Sequence, residues 1–247
     1  MLHQLARFSA IAPLIDELGG GEVLDVGSGS EGVAGWIGAR WSVTAVDCSF
    51  EYIGAMHGPY PGESRKVVGD AGALPFHDRA FDVVLGLDVL EHVDPAHRRR
   101  AVGEMVRVAR RRVIVACPTG DAALAADRRL AASLSARGMP PPSWLAEHEH
   151  NGFPERGELR EYLAGRGALR LIDDENIRWH EWLFGLEFRR PGFHASRATA
   201  RALAAGLGSR GPMRALSRLA VRAIQGPDRP PCYRTIAVLD LPPRAAR

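Results

Sequence analysis

The chain has 247 residues, with 32 basic and 29 acidic side chains, so its formal net charge is only +3. Apolar residues make up 46% and charged residues 25%, which excludes a disordered chain, a collagen and a small disulfide scaffold. No apolar run reaches the roughly 20 residues that a bilayer span requires. The three cysteines are far apart and form no CxxC pair. We therefore expect a cytoplasmic protein without disulfides or structural zinc.

The first half of the chain predicts alternating helices and strands. An amphipathic N-terminal helix precedes five apolar segments that are predicted as strands. Helices are predicted over 33–40 and after Asp94, which is a suitable N-cap for a helix beginning with Pro95. The predicted strands cover residues 22–26, 42–46, 65–68, 81–87 and 112–116.

Apolar strands separated by helices are typical of a parallel sheet that is covered on both faces. Right-handed crossovers then give a doubly wound α/β fold, in which ligands bind at the carboxyl ends of the strands. The second half is less regular. Helices are predicted over 121–137 and after Pro154, and strands over 169–172 and 234–241. An insertion of about 60 residues, rich in aromatics and then in arginine, separates these last two strands.

A glycine-rich loop follows the first predicted strand. Gly27, Gly29 and Gly32 match the pattern GxGxxG, in which glycines let a cofactor approach the backbone closely. Asp25 stands two residues before the first glycine, where the pyrophosphate of a dinucleotide would repel it. S-adenosylmethionine (SAM) carries a sulfonium and an ammonium cation instead, so this acid favours SAM over NAD. Asp47, at the end of the second strand, suits the ribose hydroxyls of either cofactor.

These residues resemble the class I SAM-dependent methyltransferases over about residues 20–120, and most closely the small-molecule group of ubiquinone- and menaquinone-type enzymes. The family loop reads acidic-x-Gly-x-Gly-x-Gly, whereas the third glycine here is one place late, at Gly32. The resemblance implies a Rossmann-like, mostly parallel sheet of seven strands with an antiparallel last strand. The cofactor-binding residues that it implies are Asp25, Gly27, Ser28, Gly29, Asp47, Cys48, Asp70, Ala71 and Leu87.

Two further motifs carry the adenine and methyl-transfer positions of this resemblance. Residues 69–76 (GDAGALPF) resemble the adenine site, and residues 86–93 (GLDVLEHV) resemble the motif after the fourth strand. In the second motif Asp88 would face the methyl-transfer site. His92 is the candidate general base, because an imidazole titrates near neutral pH. Alternatively, His92 and Glu91 only cap the turn that follows.

The acceptor side is predicted beyond residue 120. His148 and His150 fall in a segment predicted as extended, where alternate residues share one face, so we predict that they bind the acceptor. A solvated loop is the alternative, and no metal site is predicted. Trp179 and Trp182 belong to an aromatic stretch that would line an apolar acceptor pocket. Packing of the insertion onto the body of the protein is the alternative there.

An arginine stripe follows this aromatic stretch. Arg210, Arg214, Arg218 and Arg222 recur every four residues and would lie on one face of a helix. A solvated helix face is the default interpretation. The sharper one is a surface for an anionic acceptor or for peripheral contact with lipid head groups. No basic–aromatic module recurs and the net charge is small, so a nucleic-acid partner is not expected.

The sequence therefore predicts one class I methyltransferase domain over residues 1–247. It would comprise a SAM-binding core over 1–120 and acceptor-side insertions, including a helical lid, over 121–154 and 173–230. The predicted reaction is methyl transfer from SAM to a small organic acceptor, with oxygen or carbon favoured over nitrogen. A nicotinamide-dependent oxidoreductase and a non-catalytic SAM-binding regulator are the alternatives.

Overall fold

The computed structural model describes residues 2–30, 32–54, 64–188 and 229–243, together with the single residues 199, 202, 203 and 220. Within these residues, strands and helices alternate along most of the chain. The strands are β1 Gly21–Val26, β2 Trp41–Asp47, β3 Ser64–Val68, β4 Phe81–Leu87, β5 Ala109–Pro118, β6 Ala168–Asn176 and β7 Cys232–Asp240. The α-helices are α1 Leu2–Asp16, α2 Phe50–Gly54, α3 Pro95–Val108, α4 Gly120–Ala136, α5 Ser143–Asn151, α6 Arg156–Leu163 and α7 Ile177–Glu187, and a 3₁₀ turn covers Leu90–His92.

The seven strands form one sheet in the order β3-β2-β1-β4-β5-β7-β6. The pairs from β3 through β5 are parallel, whereas β7 runs antiparallel to both of its neighbours. This topology confirms the predicted Rossmann-like fold with an antiparallel last strand. The strand order reverses between β1 and β4, and this reversal is where such folds bind their ligands. Because β7 is antiparallel, its first residues lie beside the carboxyl ends of β5 and β6.

Both faces of the sheet are covered, as the apolar strands predict. On one face, Val102 and Met105 of α3 pack with Leu159 of α6 in a buried cluster. On the other face, Phe8 and Ile11 of α1 are buried against the strands. Among the described residues, no helix is both long and apolar enough to cross a membrane.

The helix predicted over 33–40 is wrong, because these residues form a series of turns. Gly35 and Gly38 each weaken a helix by about 1 kcal/mol relative to alanine, and Gly38 accepts a turn hydrogen bond from the Trp41 amide at 3.1 Å. The segment is held by packing instead, since the Trp36 ring stacks on Phe8 with a centroid distance of 5.1 Å. The glycine loop is therefore followed by turns and not by a helix N-terminus.

The extended segment predicted around His148 and His150 is also wrong, because both residues lie in α5. Pro142 immediately precedes this helix, and the fixed φ of proline suits a residue at a helix start. Positions two apart in a helix point about 200° away from one another. Accordingly His148 is buried whereas His150 is exposed. The two histidines do not share a face, and only His148 reaches the interior.

The predicted start of α3 is confirmed, since the Asp94 carboxylate accepts a hydrogen bond from the Ala96 amide at 2.8 Å and Pro95 is the first helical residue. Replacing Asp94 with Ala removes this cap, and we expect the free energy of unfolding to fall by about 1 kcal/mol. Urea denaturation followed by circular dichroism measures the change. Asp94→Asn keeps a capping oxygen and should lose less than half as much, so equal losses in the two variants would contradict the capping role.

Candidate functional site

The glycine loop after β1 is fastened to the end of β2. The backbone amides of Gly27 and Ser28 both donate to the carbonyl oxygen of Val46, at 2.8 and 3.2 Å. Gly27 has a φ of +65°, and a Cβ at this position would lie 2.5 Å from a methyl carbon of Val89. Only glycine avoids both the backbone strain and this contact. The residues after β4 therefore pack directly on the loop.

Asp47 joins the loop to the end of β2. One of its carboxylate oxygens accepts from the Gly29 amide and the other from the Ser49 amide, each at 2.9 Å. Its backbone oxygen accepts from the Gly69 amide at 3.0 Å, which brings the residues after β3 to the same edge. There Asp70 is exposed, and its Oδ1 accepts from the Gly72 amide at 2.7 Å. The predicted ribose and adenine positions are thus neighbours.

Asp25 is a buried carboxyl group near the end of β1. Its Oδ2 accepts a hydrogen bond from the Val33 amide at 2.8 Å. Burial raises the pKa of Asp25 to about 6, although the Val33 hydrogen bond and the positive charge of Arg7 oppose that rise. A cation bound beside this carboxyl group would favour its ionised form.

The loop fits the cofactor that the sequence predicts. The Ser28 hydroxyl is buried and has no hydrogen-bond partner within the described part of the chain. Each Asp47 oxygen accepts one amide and keeps a second lone pair, which suits a ribose hydroxyl. A Cβ on Gly29 would meet nothing within 4 Å, so space is open above the loop. Cys48 is exposed next to Asp47, and Leu87 is buried at the end of β4.

Asp88 follows β4 in a left-handed backbone conformation, with a φ of +53°. Its carboxylate binds Arg7 at 2.8 Å and Arg234 at 3.1 and 3.2 Å. Burial alone would raise the pKa of Asp88, but the guanidinium groups of Arg234 and Arg7 hold it well below its usual range. Both oxygens of this predicted catalytic residue therefore accept hydrogen bonds from arginines, and its carboxyl group is ionised. We assign Asp88 a positioning role and not that of a proton acceptor.

Arg234 is a site residue that the sequence analysis missed. It is 5% exposed and also binds Glu175 at 2.8 Å and Asp174 at 3.4 Å. Burial would lower its pKa, but Asp88 and the two neighbouring carboxylates raise it well above its usual value. The other Glu175 oxygen lies 3.0 Å from Nδ1 of the buried His180. Arg234 stands inside an apolar strand, where no motif marks it.

A histidine cluster is formed by the 3₁₀ turn after β4 and the helix α5. We define it as Glu91, His92 and His148, whose potential ligand atoms all lie within 4.8 Å of one another. Nδ1 of His92 is 2.7 Å from Glu147, and Nδ1 of His148 is 2.6 Å from Asp127. Glu91 Oε2 and His148 Nε2 are buried, and neither has a hydrogen-bond partner among the described residues. Burial and the nearby Asp88 raise the pKa of Glu91 well above its usual value.

Arg98 holds the cluster together through main-chain carbonyl groups. Its guanidinium is buried and ties the 3₁₀ turn to the end of α5, while the Asn151 side chain donates to the Glu91 carbonyl at 3.1 Å. The position of Arg98, four residues before the buried Val102, was the available signal that it lies on the inner face of α3. Its acceptors are the carbonyl oxygens of Leu90, Val93, Asn151 and Gly152, at 2.6–3.1 Å.

An aromatic wall surrounds His148. The Tyr233 hydroxyl donates to Asp127 at 2.9 Å, and burial together with Asp127 raises the pKa of Tyr233 well above its usual value. His180 stacks on the Tyr233 ring with a centroid distance of 3.6 Å. The rings of Trp144 and Phe153 lie 5.1 and 5.0 Å from that of His148. Asp127 and Tyr233 are further site residues that sequence reasoning missed.

The other predicted acceptor residues are less buried than His148. The rings of Trp179 and Trp182 are 4.6 Å apart, and Trp182 is 53% exposed. His150 is exposed on another face of α5 than His148. The arginine stripe at residues 210–222 lies outside the described residues, except for residue 220.

Comparison with known proteins finds a methyltransferase domain in the first half of the chain and similar folds among solved structures. Residues 24–117 match a family model described as a methyltransferase domain. No curated protein matches the chain. The fold resembles the plantazolicin methyltransferase BpumL in complex with SAH, at 11% identity and a TM-score of 0.60, covering 98% of this chain and 85% of that chain. It also resembles BH2331 from Bacillus halodurans C-125, at 18% identity and a TM-score of 0.52, covering 97% and 99%.

A third match, the PH0226 protein from Pyrococcus horikoshii OT3, is 22% identical but has a TM-score of only 0.40. This chain spans 62% of the length of that protein, and the match covers 53% of this chain. The match over residues 24–117 to a methyltransferase domain and the strand order support the predicted SAM-dependent methyltransferase and its cofactor. The ubiquinone-type subgroup stays a prediction.

The packing of Val89 on the loop predicts different costs for two glycine substitutions. Both Gly27 and Gly29 have positive φ, so an alanine at either position is strained by about 1–2 kcal/mol. Only at Gly27 must the added Cβ also displace Val89. We expect Gly27→Ala to lower the free energy of unfolding by at least 1 kcal/mol more than Gly29→Ala in urea titrations. Equal losses would show that the loop does not rest on Val89.

Proposed function

We propose that the protein transfers the methyl group of SAM to a hydroxyl oxygen of a small organic acceptor with an apolar ring. The observation that carries this proposal is the placement of two different sites at one edge of the sheet, after the neighbouring strands β1 and β4. The glycine loop follows β1, and the histidine cluster includes Glu91 and His92 of the turn after β4. Both are at the carboxyl edge of the sheet, next to the reversal of strand order.

The cofactor half is formed by the strand ends. SAM supplies an electrophilic methyl group on a cationic sulfur. We assign Asp47 to the ribose hydroxyls, Asp70 and Ala71 to the adenine, and the loop from Gly27 to Gly29 to the methionine part. The raised pKa of the buried Asp25 supports a cationic ligand beside the loop, because a carboxyl group destabilised by burial gains most from a nearby positive charge.

The acceptor half favours oxygen as the methylated atom. An alcohol must lose its proton during methyl transfer, whereas a neutral amine or a stabilised carbanion already has a free electron pair. Glu91, His92 and His148 form the cluster to which we assign this activation. Glu147 and Asp127 hold the two imidazoles through Nδ1, which fixes the orientation of each ring.

The aromatic wall supports an acceptor with an apolar ring. Trp144, Phe153 and Tyr233 are grouped around His148 and Asp127, so a flat apolar body would contact aromatic faces while its hydroxyl group reaches the cluster. A hydroxylated quinone-type precursor, as in the group that the sequence resembles, combines these two features. We propose that the reaction takes place in the cytoplasm, since the few, scattered cysteines suit a reducing compartment.

Calorimetric titration with S-adenosylhomocysteine tests the cofactor half. We expect binding in the micromolar range, weakened about 10- to 100-fold in Asp47→Ala, because two charge-assisted hydrogen bonds to the ribose are lost. Asp78→Ala is the matched control, since Asp78 is an exposed aspartate in the loop that precedes β4, at the opposite edge of the sheet. NADH should not bind, and binding of NADH in preference to S-adenosylhomocysteine would move the assignment to hydride transfer.

Transfer of radiolabelled methyl from SAM to a panel of phenols, quinols, amines and carboxylic acids tests the reaction. Labelled product is expected with the hydroxylated rings, and it should fall in Asp47→Ala but not in Asp78→Ala. Tight cofactor binding without product from any member of the panel would favour a non-catalytic SAM-binding regulator. Product formed only from amines would contradict the assignment of oxygen.

The affinity for S-adenosylhomocysteine should depend on pH through Asp25, whose pKa is about 6. The ammonium group of the ligand favours the ionised carboxylate, so binding lowers this pKa and releases a proton at acidic pH. Affinity therefore rises with pH up to about 6 and is flat above it. We expect about a fivefold gain from pH 5 to pH 7 by calorimetry, which is the gain that a one-unit fall of this pKa on binding produces. Asp25→Asn should abolish the gain, and an unchanged pH profile in that variant would exclude Asp25 as its source.

A further inference from the structure

We propose that Glu91, His92 and His148 bind a divalent first-row transition-metal ion, such as Zn²⁺ or Mn²⁺, at the acceptor side of the site. The three residues come from two elements, the 3₁₀ turn after β4 and the helix α5. Their potential ligand atoms all lie within 4.8 Å of one another. Two imidazoles and one carboxylate form a ligand set that such ions prefer, and it leaves coordination positions open for a small molecule.

Side-chain rotation is enough to bring the potential ligand atoms of the three residues to the spacing that a bound ion requires. Ligand atoms about 2.1 Å from a tetrahedral ion are about 3.4 Å apart, so the separations of up to 4.8 Å must shrink by about 1.4 Å at most. The backbone is already fixed on both sides, because Arg98 and Asn151 hydrogen-bond across the 3₁₀ turn and the end of α5. The backbone of the site is therefore in place before an ion binds.

On each histidine, Nδ1 makes a contact that is typical of a histidine that binds a metal through its other ring nitrogen. Nδ1 of His148 lies 2.6 Å from Asp127, and Nδ1 of His92 lies 2.7 Å from Glu147. In metal sites a carboxylate commonly holds the histidine in this way, so that the other ring nitrogen points its lone pair at the ion. Here this arrangement occurs twice within one cluster. Tyr233 in turn fixes Asp127 through a 2.9 Å hydrogen bond.

Two buried atoms of the cluster need a partner. Glu91 is 1% exposed and His148 is 5% exposed, and Glu91 Oε2 and His148 Nε2 have no hydrogen bond among the described residues. A buried polar atom without a partner costs about 1–3 kcal/mol. A proton on Glu91 would neutralise that carboxyl group but would leave His148 Nε2 unsatisfied at the present spacing. One ion bound between them satisfies both atoms.

The role of the ion rests on the proposed function. An acceptor hydroxyl bound at an open coordination position has a lowered pKa. Its O–H bond breaks, the proton passes to solvent, and the oxygen keeps the electron pair with which it attacks the methyl carbon of SAM. The C–S bond breaks as the new O–C bond forms, and the sulfur keeps that electron pair and leaves as the thioether of S-adenosylhomocysteine. Asp88 takes no part in this binding, because Arg7 and Arg234 engage both of its oxygens.

Titration of the metal-free protein with Co²⁺, followed by its visible absorption, tests the site without any acceptor. We expect one equivalent to bind with a spectrum of imidazole ligation and to be displaced by Zn²⁺. Glu91→Gln, His92→Asn and His148→Asn should each weaken binding at least 100-fold. Asp127→Asn should weaken it about tenfold, as loss of a carboxylate behind a histidine ligand does.

His150→Asn is the matched control, because His150 lies in the same helix but is exposed, and it should bind Co²⁺ like the unaltered chain. His92 has an exposed edge, so His92→Asn keeps the test valid if the variants at buried positions fail to fold. Calorimetry with S-adenosylhomocysteine checks folding in each variant. Absence of stoichiometric Co²⁺ binding, or equal loss in His150→Asn, would overturn the proposal. Metal binding without methyl transfer would contradict the proposed function but would still support the metal site.

Discussion

The buried guanidinium of Arg234 is the constraint on which the site depends. It lies between Asp88, after β4, and Asp174 and Glu175, near the end of β6. Burying a charge of this kind is costly, and only close carboxylates with good geometry offset the cost. Arg234 reaches this position because β7 is antiparallel, so that its first residues lie at the carboxyl ends of the parallel strands. The last strand therefore adds Arg234 to the same edge of the sheet at which the strands of the first half of the chain end.

This constraint joins two halves of different origin. The cofactor half is built from strand ends close together in the chain, such as Asp25 and Asp47, whose partners are amides of nearby loops. The acceptor half is built by distant segments, since Asp127 contacts both His148 and Tyr233. Asp88 lies between the halves, and its two arginines come from the first helix and the last strand. Through Asp88, both ends of the chain determine the shape of the site.

The sequence predicts the first half well because its signals are local. Gly27, Asp47 and Asp70 each follow or end an apolar strand, and parallel strands bring such residues to one edge. The acceptor half lacks local signals, since Asp127 and Tyr233 are 106 residues apart and lie in segments that look like ordinary helix and strand. The error at residues 33–40 has another cause, because the two glycines of this segment and its packing favour turns over the predicted helix. The side chain of Arg98 satisfies backbone carbonyl groups, a role that no residue pattern specifies.

The carboxyl groups at this edge differ in how their charge is balanced. Asp88 is paired with two guanidinium groups and stays ionised, so it has little to gain from a further cation. Burial raises the pKa of Asp25 and of Glu91. A cation that binds beside such a group replaces a proton and recovers interaction energy that burial has withheld. The same electrostatic reasoning favours a cationic cofactor beside Asp25 at the loop, whereas the metal ion is favoured by the placement of two imidazoles and one carboxylate within 4.8 Å of one another.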